Sequence, residues 1–204
     1  MTQEDFNAIL EKHALWLAGK DGGERIWLAF DTTEGHDFLN ADLRKATLIG
    51  IDFTNGSVNR PIFDGANLSD ANLKRSIFFK GHLDGANLRW ANLLCADFED
   101  ATLKKAILSD VYAKKTNFRH ANLSDADMKR GDFGSSDFKG ANLRGANLRK
   151  AELNGADLRD ADLRDADLRD IDFTLANLTG ANLDGAKLDG ADFEEAIFDN
   201  PYAE

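Results

Sequence analysis

Three consecutive words, ADLRDADLRDADLRD, set Asp157, Asp162 and Asp167 five residues apart between Ala156 and Asp170. Repeated carboxylates could serve as general acid and base, cage a divalent cation, or imitate the backbone of a nucleic acid. Acid–base work needs two carboxyl groups in contrasting surroundings, and here the surroundings are copies of one another. His13, His36, His82 and His120 are scattered along the chain, and no Gly-rich phosphate loop, Ser elbow or HExxH motif accompanies them. His82 takes a place usually filled by Asp or Asn, as an exposed substitution would. The calcium-binding nonapeptide GGxGxD is absent, and the lone Cys95 forms neither an internal disulfide nor a multi-cysteine metal site. The expectation is a non-catalytic chain with no cofactor and no metal.

The elements that carry these residues follow from their period. From Phe38 every fifth residue is large and apolar, through Leu43, Leu48, Phe53, Val58 and onward to Phe193 and Phe198, with Ala113 the one small exception. Two residues before each centre stands a small one, as at Ala66, Ala86, Ala121 and Ala161, and Asp or Asn usually lies between. On an α-helix five residues turn through roughly 500°, so such centres never form one stripe. On a flat strand they alternate faces. The chain must bend once per word, and four bends of about a right angle close a coil of about 20 residues that stacks on the next at about 4.8 Å.

Words such as ANLSD, ANLRG and ADLRD resemble the pentapeptide-repeat family over about four fifths of the chain. The resemblance implies an all-β solenoid, a right-handed quadrilateral β-helix, here of about eight four-sided coils. Residues 26–200 are expected to form it, residues 1–25 an α-helical cap, and residues 201–204 a short C-terminal tail. In the cap, Thr2 and Asp5 read as a capping box, and Phe6, Ile9, Leu10, Ala14 and Leu17 as the apolar stripe, ending at Gly19. The first coil is expected to be irregular near Thr33, with a local bend at Pro61.

Residues 20 apart should stack in columns. One reads Phe38, Val58, Phe78, Phe98, Phe118, Phe138, Leu158, Leu178 and Phe198; in another Ala113 interrupts the run between Leu93 and Phe133. Gly65, Gly85, Gly140 and Gly145 stand second after their centres, where a type II turn demands positive φ, so corners with Asp or Lys there are expected to use another turn. Nothing in sequence register covers Phe193 and Phe198. Either Pro201 and Tyr202 fold over the last coil, or two chains meet end to end through Phe193, Phe198 and Tyr202.

The net charge of −11 disfavours direct nucleic-acid binding and anionic membranes. No secretory signal or membrane-length apolar run is present, and the cysteine usage suits a reducing compartment, so the expectation is cytoplasmic. Some pentapeptide-repeat proteins bind DNA gyrase as mimics of duplex DNA, which the resemblance raises as an alternative function. Duplex DNA carries one charge per about 1.7 Å, so a rod about 40 Å tall would need more than about 20. Residues 36–204 hold 29 acids against 22 bases. One side, with Lys129, Arg130, Arg149, Lys150 and Arg169, is slightly positive. The gyrase-binding relatives share C-terminal dimerising segments and projecting loops, and this unbroken register leaves no room for loops. The remaining possibility is a protein-binding or structural rod with an unidentified protein partner. Ile77, Phe79, Trp90, Leu94, Ile107 and Tyr112 are apolar at outward positions of adjacent coils and form the candidate contact.

Overall fold

The structure, a computed structural model, describes residues 3–29, 41–56 and 60–199. Its unit is the corner. Every fifth residue from Lys45 to Glu195 has positive φ, from 52° at Arg60 to 73° at Gly190, whatever its side chain. The carbonyl of nearly every centre accepts the N–H three residues on, as Leu43 does from Ala46 at 3.0 Å, closing a β-turn around that corner. The expectation that non-glycine corners use another turn is therefore wrong. Asp, Lys, Arg and even Trp90 and Leu175 accept a left-handed conformation that costs about 1–2 kcal/mol in isolation. They accept it because the coil above and the coil below fix the backbone on both sides of the corner.

That fixing is a ladder. Isolated parallel bridges join residues 20 apart without a slip, from Asp42↔Ile62 to Asn177↔Ile197. Leu43 N–H donates to the Ile62 carbonyl at 2.8 Å, and Asn67 N–H donates to the Ala46 carbonyl at 2.9 Å, so each word bonds to the coil on either side. Among the described residues only the first turns lengthen into strands: β1 (Trp27–Ala29) pairs in parallel with β2 (Thr47–Ile49), Trp27 opposite Thr47. The chain is thus a right-handed quadrilateral β-helix, four words to a coil. For reference its faces are named by the words that build them: face A by 61–65, 81–85 and every twentieth residue on, face B by 66–70, 86–90, face C by 71–75, 91–95, and face D by 76–80, 96–100.

Inside, the centres and their small neighbours are buried along the rod from Leu43 to Leu178. Phe78, Phe98, Phe118 and Phe138 stack with centroids 5.0, 5.4 and 4.9 Å apart, the column expected from the sequence. Phe38 and Val58 of that column lie outside the described residues, as do Thr2, Thr33, His36, Pro201 and Tyr202. The interruption at Ala113 is a volume exchange. Val111 occupies the small position of the same word, and in the next coil Phe133 stands over Ala113 while Gly131 stands over Val111. A Cβ on Gly131 would lie 2.4 Å from the Phe133 ring and 3.2 Å from Val111. Pro61 is tolerated in the same way: Gly81 stands above it, and a Cβ there would meet Pro61 Cγ at 3.1 Å.

The cap is α1 (Gln3–Leu17). It ends in a Schellman turn, with Gly19 at φ 65°, Gly19 N–H donating to the Trp16 carbonyl and Lys20 N–H to that of Leu15. Phe6, Ile9 and Leu10 face the first coil as expected, but Ala14 is exposed and His13 completes the stripe, fully buried. Its ring is a hydrogen-bonded pin rather than packing alone. Nδ1 accepts the Ile26 N–H at 3.1 Å, so the proton resides on Nε2, which donates to the Arg44 carbonyl at 3.1 Å. Trp16 stacks on the ring at 5.5 Å. Burial pushes the His13 imidazole below its ordinary 6.5; the hydrogen bond to the Arg44 carbonyl and the Asp42 carboxylate oppose this shift, and the charges of Arg25 and Arg44 reinforce it.

Two outcomes follow from these contacts. Gly131→Ala is expected to lower stability by about 1–3 kcal/mol in thermal or urea unfolding, through overpacking against Phe133; a melt unchanged from the parent would contradict the volume exchange. Below pH 6.5 the undocked cap binds a proton that the docked cap excludes, so docking weakens as pH falls, by up to about 1.4 kcal/mol per pH unit. Hydrogen exchange at the Ile26 amide, corrected for intrinsic rate, should therefore accelerate between pH 7.5 and 5.5, and that pH dependence should disappear in His13→Gln.

Candidate functional site

The words at 156–170 send their carboxylates out through three different faces. Asp157 bridges Asp137 and Asn177, Asp162 bridges Asn142 and Asn182, and Asp167 bridges Asn147 and Lys187. Each Oδ1 accepts the backbone N–H two residues on, from Arg159, Arg164 and Arg169 at 3.1, 3.2 and 3.4 Å. This is an Asx turn, and it locks the entrance to the next corner. The guanidinium of the same Arg then closes on the carboxylate, with Nη2–Oδ2 distances of 2.5, 2.7 and 2.5 Å. These guanidinium hydrogen bonds hold all three carboxyls below the usual carboxylate range, against a smaller opposing effect of burial. The stacked pair Asp137 and Asp157 is relieved likewise, Arg119 taking Asp137 at 3.1 Å and Arg159 taking Asp157. Where Asn replaces Asp the amides form rungs, Asn87 Nδ2 donating to Asn67 Oδ1 at 3.1 Å. The acids are backbone fittings neutralised in place. Among the described residues no group of three or more His, Cys, Asp or Glu is placed to hold a metal ion. His82 and His120 are exposed singly.

The outward apolar residues behave differently. Trp90 sits at the corner between faces B and C, 54 % exposed and held at φ 61°. The Arg89 guanidinium lies over its indole, 4.1 Å from the centroid. Arg89 Nε in turn donates to Asp110 at 3.3 Å, and Arg130 grips the same carboxylate at 2.7 and 2.8 Å. Arg89, Asp110 and Arg130 belong to three successive coils, so the indole is fixed by a clamp spanning all of them. The Arg130 hydrogen bond, with Arg89 adding to it, keeps the Asp110 carboxyl below its usual range. Ile107 lies on face B one coil above Asn87, and Tyr112 on face C one coil above Asn92; both are exposed. Leu94 is half-buried on face C. Ile77 is exposed and Phe79 half-buried on face D, away from Trp90, and Lys80 Nζ lies 4.9 Å from the Phe79 ring. The expected patch is therefore a Trp90–Ile107–Tyr112–Leu94 group around one corner, with Ile77 and Phe79 a separate pair.

The slightly positive side is face B higher up, where a shallow groove of about 430 Å³ runs past Lys129, Arg149, Lys150 and Arg169. Lys129, Arg130, Arg149 and Arg169 already pair with Asp127, Asp110, Asp170 and Asp167. Among the described residues Lys150 is the one lysine or arginine lining this groove without an ion pair. At the C-terminal end the described chain stops with its inner ring in view. Leu183 and Phe193 are half-buried, Leu188 is exposed, and Phe198 is 47 % exposed with its ring 5.5 Å from that of Phe193. Leu175, an exposed leucine at a corner of face C with φ 60°, was not singled out from the sequence, because a corner leucine there differs from the buried centres only in its place in the word.

The family profile for pentapeptide repeats matches this chain in 8 copies, over residues 82–119, 96–140, 136–174 and 176–200. Among solved structures the chain is similar to HetL, a pentapeptide repeat protein involved in heterocyst differentiation regulation from the cyanobacterium Nostoc sp. strain PCC 7120. The identity is 30 %, covering 91 % of this chain and 94 % of HetL, with a TM-score of 0.37. It is also similar to QnrB1, a plasmid-mediated fluoroquinolone resistance protein, at 22 % identity over 86 % of this chain and 91 % of that one, TM-score 0.42. A further Nostoc PCC 7120 pentapeptide repeat protein, alr5209, is 42 % identical over 41 % of this chain and 75 % of its own, TM-score 0.36. No curated protein matches the chain.

Asp110→Asn removes the charge that ties Arg89 to Arg130. Its cost in stability should stay under about 1 kcal/mol, as for partly exposed ion pairs. The indole should nevertheless loosen, seen as a fall in Trp90 fluorescence anisotropy in a chain whose Trp16 and Trp27 are replaced by Phe; an unchanged anisotropy would show that the clamp does not hold the ring.

Proposed function

Because this chain belongs to the pentapeptide-repeat family, we propose that it is a non-catalytic, rod-shaped scaffold that works by binding another protein. The observation that carries this is the Trp90 corner. A large aromatic ring is held outward in a strained conformation, clamped by Arg89, Asp110 and Arg130 across three coils and bordered by Ile107, Tyr112 and Leu94. A rigid exposed aromatic with apolar neighbours is what an interface anchor requires, since little entropy remains to be lost on docking. Ile77 and Phe79 offer a second, smaller contact on face D. The open C-terminal coil, with Phe193 and Phe198 accessible, supports a homodimer meeting end to end there.

Direct binding to nucleic acid does not fit an acidic chain whose arginines are occupied by their own aspartates. The same pairing weighs against mimicry of duplex DNA, because the carboxylates that would imitate phosphates are neutralised. Among the described residues no helix is long and apolar enough to cross a membrane. The single exposed thiol, Cys95, fits a reducing, cytoplasmic setting.

Capture from the native host identifies the partner, and a double substitution tests the surface. Phe79→Ser with Trp90→Ser should leave the melt within about 0.5 kcal/mol of the parent and weaken the identified partner at least tenfold. Unchanged affinity would remove the corner from the interface. Supercoiling by DNA gyrase should proceed at the same rate with and without the protein; inhibition or protection of gyrase would replace this function by a topoisomerase-directed one.

A further inference from the structure

Face C differs from the other three in how its charges are distributed. Its words at 71–75, 91–95 and 111–115 read ANLKR, ANLLC and VYAKK, with Lys74, Arg75, Lys114 and Lys115 and no acid. Its words at 131–135, 151–155, 171–175 and 191–195 read GDFGS, AELNG, IDFTL and ADFEE, with Asp132, Glu152, Asp172, Asp192, Glu194 and Glu195 and no base. Between 71 and 195 this face is basic along its first three words and acidic along its last four, the word before them, IDFTN at 51–55, carrying Asp52. Elsewhere on the rod many acids and bases neutralise each other locally, as Asp157 does with Arg159. On face C the one ion pair among the described residues is Lys114 with Asp132, at 3.2 Å, where the two halves meet. Among the described residues Lys74, Arg75, Lys115, Glu152, Asp172, Asp192, Glu194 and Glu195 have no ion pair.

We infer that face C binds face C of a second copy of this chain, side by side and antiparallel. A two-fold axis lying in the interface, perpendicular to the rod and level with Asp132, exchanges the halves. Because bridged residues are spaced at 20, the pairing is fixed word by word: 71–75 lies opposite 191–195, 91–95 opposite 171–175, and 111–115 opposite 151–155. Such an axis keeps each corner facing its own corner. Lys74 and Arg75 then meet Glu194 and Glu195 of the other copy, Tyr112 meets Glu152, and Leu175 meets Cys95. The last pair joins two exposed corner side chains, Leu175 being 56 % exposed in the single chain. At the axis the two copies of Asp132 approach, each neutralised by its own Lys114. In this register Lys74 and Arg75 gain Glu194 and Glu195 at each end of the interface and Leu175 gains Cys95, whereas the register that sets 111–115 opposite 191–195 would draw Lys114 away from Asp132 and leave Leu175 facing Ser135.

This goes beyond the binding of a foreign protein: it covers Tyr112 and Leu94 on face C, for which such a partner would compete, and leaves Ile107 on face B and Ile77 and Phe79 on face D open. It also differs from an end-to-end dimer, in which Phe193 and Phe198 are covered and face C stays open. The paired stretch of the face is seven words long and one word wide, which places the buried area at or below the low end of specific interfaces, about 1,200 Å² in total. The association should therefore be weak and salt-dependent, with a dissociation constant in the micromolar range that rises at least tenfold between 50 and 500 mM NaCl.

Sedimentation equilibrium on the full chain tests this with two charge reversals at exposed or half-exposed positions. One variant carries Lys74→Glu and Arg75→Glu; the other carries Glu194→Lys and Glu195→Lys. Each alone should dimerise at least tenfold more weakly than the parent, with melts confirming that both are folded. Mixed in equal amounts they should recover dimer, because each then offers the charge the other needs at both ends of the interface. A chain that stays monomeric up to several hundred micromolar at 50 mM NaCl overturns the inference. So does a mixture no better than its separate components, or association that ignores both reversals and is abolished by Phe198→Ser.

Discussion

The structure depends on one constraint: a backbone that turns every five residues can satisfy its N–H and C=O groups only in the coils 20 residues before and after it. The ladder of 2.6–2.9 Å bonds from each centre to the next coil is what makes the bend affordable. It holds Trp90, Leu175 and many charged residues in a left-handed conformation that an isolated L-residue resists. The interior follows from the same constraint. Two inward positions per word must be filled by one large and one small side chain, and when Val111 and Ala113 even out their sizes, Gly131 and Phe133 take the opposite extreme one coil later.

Once the fold has taken the two inward positions, the corner and the Asx residue, little of each word is left over. That remainder is where individuality lies. In ADLRD even the outward residues are occupied, Asp fastening the turn and Arg neutralising Asp, so these most regular words present an inert, mixed-charge surface. Departures from the word carry chemistry instead: Trp90 in place of Asp or Gly at a corner, Ile107 and Tyr112 in place of Asn or Asp, and face C with its bases and acids sorted apart between 71 and 195.

The amino-acid sequence made the coil, its four sides and the phenylalanine column legible, because a strict period leaves a long chain one way to hide its centres. What stayed hidden depends on atoms that a period does not record. His13 and Ala14 are neighbours on the helix, and either could close the stripe; the choice fell to the imidazole because only it can answer both the Ile26 N–H and the Arg44 carbonyl. Turn type at non-glycine corners was misjudged because intrinsic preference was weighed without the ladder that overrides it. Leu175 was missed because exposure at a corner reads in sequence like one more leucine among many. The Trp90 residues were legible as apolar letters in polar places, but the Arg89–Asp110–Arg130 clamp spans 41 residues of chain and shows only once the coils are stacked.

The coil-to-coil ladder also has a mechanical meaning. Each coil is bonded only to its immediate neighbours, so a pull on the two ends of the chain loads the outermost coil alone and leaves the rest at rest until that coil gives way. Peeling one coil frees 20 residues, roughly 65 Å of extended chain, and presents the next coil in an identical setting. Such a rod lengthens under tension in equal steps and shortens again by the same template, so it behaves as a reel of counted turns, with the pinned α-helix at one end as its stop.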